Sequence, residues 1–255
     1  MDPNQVLVWF VAASTIAAGV RTWRVHQFRN GGWLAVYGGI LATLGLGLWL
    51  WKDQAGYVAA AAWGTFVAAP ALASNWQAAL IAKGRYAAAR RVAQLIAVLH
   101  PLDGWWEAPK LMKALELLKR GEREQAERVL QELRRQDRPL GWIARLRLDR
   151  LRYDWRAMRD WVEGHPQSDR LLRDPTVIIN YLRSLGELGD QETMLRRFAD
   201  LAPRISRSTQ RTSYHAARMM VLALCGRADA VRELFDGPLA SHEGPLKTLW
   251  TATAL

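Results

Sequence analysis

The sequence from Gly31 to Trp51 is GGWLAVYGGILATLGLGLWLW, a run without a single charged side chain. About 20 apolar residues in an α-helix suffice to cross the hydrocarbon core of a bilayer. Two further uncharged apolar runs flank this one, at Val6–Val20 and Ala55–Ala73. We therefore predict an N-terminal membrane domain, residues 1–74, with three transmembrane helices near residues 6–20, 31–51 and 55–73.

Charge is divided unevenly along the chain. Residues 1–74 hold four Lys or Arg and two Asp or Glu, a net charge of +2, whereas residues 75–255 carry the remaining +9 of the total +11. This division excludes a single water-soluble domain, and a hydrophobic content of 50% excludes a disordered chain. The lone Cys225 excludes an intramolecular disulfide framework, and we expect it to be a small apolar residue of a helix.

Basic residues next to the apolar runs indicate their orientation. Arg21, Arg24 and Arg29 follow the first run, and Lys83 and Arg85 are among those that follow the third. Because basic residues concentrate in cytoplasmic loops, we expect the N-terminus outside and residues 75–255 in the cytoplasm. The expected location is the bacterial inner membrane.

The third apolar run carries a small residue at every fourth position, namely Gly56, Ala60, Gly64 and Ala68. Small side chains let two transmembrane helices approach closely. We expect this stripe to pack against another helix of the membrane domain. The alternative is that alanine and glycine merely fill a helix that tolerates them.

From Asn75 onward the pattern changes to charged segments with apolar residues every three or four positions, which predicts α-helices throughout. A self-similar turn recurs within this region: GRYAAA at residues 84–89 has the form of GEREQA at residues 121–126. Looser copies begin at Tyr153, Gly189 and Gly226. Glycine suits the left-handed geometry between two antiparallel helices, so we assign structural turn roles to Gly84, Gly121, Gly189 and Gly226. Prolines are expected to close the units, at Pro101, Pro139, Pro166, Pro203 and Pro238.

This pattern resembles the tetratricopeptide repeat family. The first two units have the turn glycine, an alanine five residues later and a closing proline, whereas Tyr153 replaces the glycine in the third unit. The resemblance covers about residues 75–240. It implies an all-α fold in which residues 75–255 form a solenoid of antiparallel helix pairs, and a scaffold that mediates protein–protein interaction.

Three arginines on the first helices of these units are candidates for a binding groove. Arg147 and Arg183 each lie six residues before a turn position, and Arg150 lies three before. Equivalent positions should point the same way, so we predict a groove that binds an acidic protein segment or a C-terminal carboxylate. The alternative is a solvated charged face.

Catalytic and cofactor motifs are absent from the sequence. There is no Gly-x-Ser-x-Gly, no phosphate-binding loop and no His-Glu-x-x-His, and the five histidines share no metal-ligand spacing. We therefore predict no catalytic residue, cofactor, metal or small-molecule substrate within these residues. His100 and His165 each precede a proline and are expected to cap helix C-termini.

The high basicity makes nucleic acid a partner to consider, and the densest basic stretch runs from Arg134 to Arg159. This stretch has an amphipathic rhythm, and no nucleic-acid fold signature accompanies it, so the sequence does not favour that partner. Anionic lipid headgroups next to the third span fit the same charges.

The order of short membrane spans followed by degenerate repeats also resembles the N-terminal part of bacterial rhomboid-type intramembrane serine proteases, as does the segment LHPLDGW at residues 99–105. The resemblance implies an alternative function: a regulatory or substrate-recruiting region whose catalytic domain follows residue 255. The rhomboid nucleophile motif and membrane histidine do not occur here, so no catalytic residue is assigned. In keeping with this alternative, we expect the helix that begins at Pro245 to lack a partner helix and to expose Trp250, and the chain to be truncated at its C-terminus.

Overall fold

The structure is a computed structural model that describes residues 2–26, 31–100, 106–136, 138–206, 211–240 and 245–255. This part of the chain is all-helical and contains no β-strand. Arg29 of the first basic link and Pro101 lie outside the described residues. The helices are α1 Pro3–His26, α2 Gly31–Leu50, α3 Ala55–Trp63, a π-helical segment Gly64–Ala68, α4 Ala69–Ala82, α5 Tyr86–Leu99, α6 Ala108–Lys119, α7 Arg123–Arg134, α8 Pro139–Leu151, α9 Trp155–Gly164, α10 Ser168–Leu171, α11 Pro175–Glu187, α12 Gln191–Ser206, α13 Arg211–Leu224, α14 Ala228–Asp236 and α15 Pro245–Thr253.

Three helical stretches are long and apolar enough to cross a membrane, at Pro3–Trp23, Gly31–Leu50 and Ala55–Ile81. The first and third are longer than the apolar runs in the sequence. α1 begins at Pro3, whose fixed φ suits a first helical turn. The third stretch continues through Asn75, because a polar side chain does not interrupt the backbone ladder of a helix. Hydropathy therefore located the three candidate spans, but it underestimated the lengths of the helical stretches that contain the first and the third.

The chain divides into two compact units, Met1–Leu140 and Gly141–Leu255, and the division falls inside α8. In the first unit, α1, α2 and α3 pack around a small core of Val11, Ile40, Leu44 and Ala59. The predicted domain boundary after residue 74 lies within α4, which continues the third apolar stretch directly. From α4 to α7, successive helices pack on each other through buried alanine, leucine and isoleucine side chains.

Five tight turns share one backbone geometry. The residues with positive φ are Gly84 (64°), Gly121 (81°), Tyr153 (56°), Gly189 (79°) and Gly226 (68°). In each turn the N–H of the next residue donates to the carbonyl five positions earlier, at 2.8 to 3.0 Å. This is the Schellman arrangement that ends a helix on a left-handed residue. All five turn positions singled out in the sequence have this conformation.

The second unit has one large core, to which all the helices from α8 to α15 contribute. Two expectations are wrong here. Pro203 does not close a unit, because α12 continues through it to Ser206. Trp250 is not exposed: only 7% of its surface is accessible, because α15 packs against α13 and α14.

Candidate functional site

The three candidate arginines lie on two helices of the second unit. Arg147 and Arg150 belong to the C-terminal half of α8, and Arg183 to that of α11. Both helices end in the Schellman turns at Tyr153 and Gly189, which gives Arg147 and Arg183 equivalent positions. Arg150 interacts electrostatically with both. We call these three residues the arginine cluster.

Arg183 is the most firmly held member of the cluster. Its Nε and Nη2 both lie 3.0 Å from Oε1 of Glu187, one helical turn later. The centre of its guanidinium lies 5.2 Å from the ring centroid of Trp155 and 5.3 Å from that of Trp250. Contact with two indoles and a carboxylate leaves 17% of the Arg183 side chain accessible. The guanidinium is therefore preorganised.

Arg150 has no such compensation. Within the part of the chain that the structure describes, no carboxylate forms an ion pair with it. Burial, together with the positive charges of Arg183 and Arg147, lowers the pKa of Arg150 to about 10, although Glu187 opposes the shift. A lowered arginine pKa means that the protein environment disfavours the charged form. The positive charge of Arg150 is therefore not fully neutralised by its surroundings.

An anion is the ligand that such a cluster can accept. Guanidinium groups donate paired hydrogen bonds to carboxylates and phosphates, and these bonds strengthen when water is partly excluded. Cleaving or transferring a group would require a nucleophile or a base as well. The three guanidiniums are therefore suited to binding an anion.

The small-residue stripe of the third span makes close contact at one end only. Gly56 N–H donates to Oδ1 of Asn4 at 2.8 Å, and a Cβ at Gly56 would lie 2.3 Å from the Asn4 carbonyl oxygen. At Gly64, by contrast, no described heavy atom would lie within 4 Å of an added Cβ. Ala60 is partly buried against the small core, and Ala68 is also partly buried. The close helix approach is therefore local to Gly56 and the start of α1.

The buried His100 in the first unit makes contacts that its position in the sequence did not predict. Nε2 of His100 lies 2.6 Å from the carbonyl oxygen of Phe66, and its ring centroid lies 4.1 Å from that of Trp33. His100 occupies the C-cap position of α5, as expected, but its side chain contacts a carbonyl of another helical segment. In a regular α-helix the Phe66 carbonyl would accept from residue 70, which is Pro70 and has no N–H. That proline, 30 residues away in sequence, was the signal that a donor was needed.

His165 occupies the C-cap position of α9, as expected. Its Nδ1 accepts a hydrogen bond from the N–H of Gln167 at 3.0 Å. Nearby, the Tyr181 hydroxyl donates to Oε1 of Glu163 at 2.8 Å. Burial and this hydrogen bond raise the pKa of Tyr181 to about 12. These side chains line a polar cleft together with Asp169.

The remaining expectations concern metals, the single cysteine and the rhomboid-like segment. No group of three or more potential metal ligands occurs among the described residues. Cys225 is half-buried at the end of α13, and burial raises the pKa of its thiol. Residues 101–105 of the rhomboid-like segment lie outside the described part, so that alternative stays a prediction.

Comparisons with known proteins add no family to this description. No protein-family model matches the chain. Searches of curated proteins and of solved structures likewise found no match.

Proposed function

We propose that this chain is a membrane-anchored, cytoplasmic, tetratricopeptide-like scaffold whose arginine cluster binds an acidic segment of another protein. The observation that supports this most is the environment of Arg150: it is largely buried beside the positive charges of Arg183 and Arg147, and no carboxylate among the described residues forms an ion pair with it. Partly buried positive charge is costly until an anion neutralises it. Aspartate or glutamate side chains, or a C-terminal carboxylate, supply that anion and accept paired hydrogen bonds from the guanidiniums.

The aromatic contacts favour a peptide over a free ion. Trp155 and Trp250 fix one guanidinium, and the exposed ring of Tyr153 lies edge-on to Trp155 at 6.4 Å between ring centroids. A small anion would use the charges alone. A peptide would also bury aromatic surface, which is a common property of protein-binding sites.

The proposed anchor is the set of three apolar helices, with the N-terminus outside and the charged helices in the cytoplasm of a bacterium. The three stretches in α1 to α4 are long enough for this role, and the basic residues after the first stretch favour the orientation. Reporter fusions after Trp51 and after Arg91 test it. A cytoplasmic signal after Trp51 would overturn the proposed orientation.

Charge reversal tests the binding function. We would reconstitute the full chain in lipid nanodiscs and measure its binding of a fluorescent peptide rich in Asp and Glu by anisotropy. Changing Arg147, Arg150 and Arg183 to Glu should abolish binding, because attraction becomes repulsion, while circular dichroism reports unchanged helicity.

A matched control is Arg173→Glu. Arg173 is exposed and precedes α11, so it lies at the opposite end of that helix from Arg183. The control variant should bind the acidic peptide like the wild type. Equal loss of binding in both variants would mean that net charge, and not the arginine cluster, drives the interaction, and would refute the assignment.

A further inference from the structure

The end of α5 lies beside a candidate transmembrane stretch. α3, the π-helical segment and α4 follow one another without a break from Ala55 to Ala82, and α5 packs along α4 after the turn at Gly84. The contact between His100 and the Phe66 carbonyl shows that the chain returns far along this helix. Trp33, from the second candidate span, contacts the same histidine ring. The last turns of α5 therefore lie between elements of two candidate spans.

The position of Phe66 gives the depth that α5 reaches. The third apolar run ends at Ala73, seven residues after Phe66. At 1.5 Å of rise per residue, Phe66 lies about 10 Å inside that run. If the run spans the hydrocarbon core, the end of α5 reaches the same depth from the side of the charged helices.

Charged residues occur only in the first half of α5, as expected if its second half lies within the hydrocarbon core. Its first half carries Arg90 and Arg91, whereas residues 92–100 contain no Asp, Glu, Lys or Arg. One face of this second half is buried, and the other exposes 55% of Leu95 and 67% of Val98, with Gln94 as an exposed but uncharged polar neighbour. Neighbouring α4 exposes 69% of Leu72. The apolar surface of the third span is thus continued by a helix that the hydropathy of the sequence did not mark as membranous.

We propose that the C-terminal half of α5 is a re-entrant segment, which enters the leaflet nearest the charged helices and presents Leu95 and Val98 to lipid acyl chains. Lipid is the occupant that fits, because this face is continuous with the surface of the third span. The proposal rests on the membrane anchoring in the proposed function and is independent of the arginine cluster.

The hydrogen bond of His100 fits this location. A main-chain carbonyl without a donor is costly in hydrocarbon, where no water can replace the missing partner. Pro70 removes the donor that Phe66 would normally have, and His100 supplies another. Polar groups at membrane depth are tolerated when they are paired inside the protein in this way.

Spin-label accessibility tests the proposal on the full chain. Cys225→Ala gives a cysteine-free background, into which we would introduce Leu95→Cys, Val98→Cys, Arg91→Cys or Leu46→Cys. Each variant carries a nitroxide in vesicles of phosphatidylcholine and phosphatidylglycerol. Collision with oxygen, which concentrates in hydrocarbon, is compared with collision with a water-soluble nickel chelate.

We expect labels at positions 95 and 98 to collide with oxygen several-fold more, and with nickel several-fold less, than the label at 91. The label at 46, which is exposed on the second candidate span, should report lipid. Nickel accessibility at 95 and 98 equal to that at 91, with lipid at 46, would overturn the re-entrant segment and leave the anchor intact. Nickel accessibility at 46 as well would overturn the anchor itself, and the re-entrant segment with it.

Discussion

Nε2 of His100 lies 2.6 Å from the main-chain carbonyl oxygen of Phe66 and thereby joins the end of α5 to the middle of the third candidate span. In a regular α-helix Phe66 would receive an N–H from residue 70, and Pro70 has none to donate. The π-helical segment Gly64–Ala68 ends two residues before that proline. The His100 side chain thus donates a hydrogen bond to a carbonyl whose usual N–H partner is missing at Pro70.

This relationship predicts that His100→Ala destabilises the protein. The Phe66 carbonyl would lose the donor that His100 supplies, and a polar group left unpaired away from water typically costs about 1–3 kcal/mol. Thermal unfolding in detergent should show the loss. In a Pro70→Ala background the same substitution should cost clearly less, because residue 70 then supplies an N–H. His100→Gln, which retains a donor, serves as the conservative control; equal costs with and without Pro70 would count against this role of His100.

A second prediction concerns helix packing in the membrane region. Gly56→Ala should destabilise the first unit by about 1–3 kcal/mol, because the added methyl group collides with Asn4. Gly64→Ala is the matched control in the same stretch, where the added methyl group meets no described atom. We expect the control to be neutral or slightly stabilising, since alanine favours helix more than glycine does. If the two substitutions had equal effects on thermal unfolding, the close approach of α1 and α3 would be disproved.

Backbone strain at the turns can be added by one substitution and removed by another. Gly121→Ala should cost about 1–2 kcal/mol, the typical penalty for a side chain in the left-handed region. No described atom lies within 4 Å of its added Cβ, so the penalty comes from the backbone alone. Tyr153→Gly should be neutral or stabilising, because the tyrosine already has this strain at φ 56° and is 73% exposed. Denaturant unfolding measures both, and a destabilised Tyr153→Gly variant would indicate that the contact of Tyr153 with Trp155 outweighs the strain.

The polar cleft predicts an alkaline pH dependence. The pKa of Tyr181 is raised to about 12 in the folded protein, so the unfolded chain loses this proton first, near pH 10. The stabilisation from Tyr181 is fully present below pH 10 and is lost as the pH rises from 10 to 12. Wild-type stability should therefore fall more steeply in this window than that of Tyr181→Phe. The contribution of Arg150 to the pH dependence of stability has the opposite sign, because its pKa is lowered. Wild type and Tyr181→Phe both retain Arg150, so this contribution cancels in the comparison. Parallel pH profiles in denaturant titrations would contradict the assignment.

The sequence predicted what depends on local pattern. Apolar runs located the three candidate spans, and the glycine spacing located the turns, because a left-handed helix end favours glycine wherever it occurs. The spacing of the repeats also predicted the turn at Tyr153, although this position is not a glycine. The alignment of Arg147 with Arg183 followed from the same register.

Long-range contacts were beyond this kind of argument. The indoles of Trp155 and Trp250 reach Arg183 from positions 28 residues before and 67 residues after it, and no periodicity connects them. Trp250 was expected on the surface, because the sequence does not reveal which helices α15 packs against. The contact of His100 with Phe66 was not predicted for the same reason: local pattern cannot identify a partner on another helix.

The central claim is that the arginine cluster of the second unit binds acidic groups. Its most direct test is the dissociation constant of the Asp- and Glu-rich peptide across a series of salt concentrations. The peptide is measured with wild type, Arg150→Gln, Arg183→Gln and the Arg173→Gln control in nanodiscs. A hydrogen bond to a charged group contributes about 1.5–3 kcal/mol, so each cluster substitution should weaken binding at low salt by about tenfold or more. Added salt should weaken wild-type binding and narrow the difference between wild type and the cluster variants, because screening reduces the attraction of the partly exposed charges. A dissociation constant that is the same for all four proteins and insensitive to salt would contradict the account.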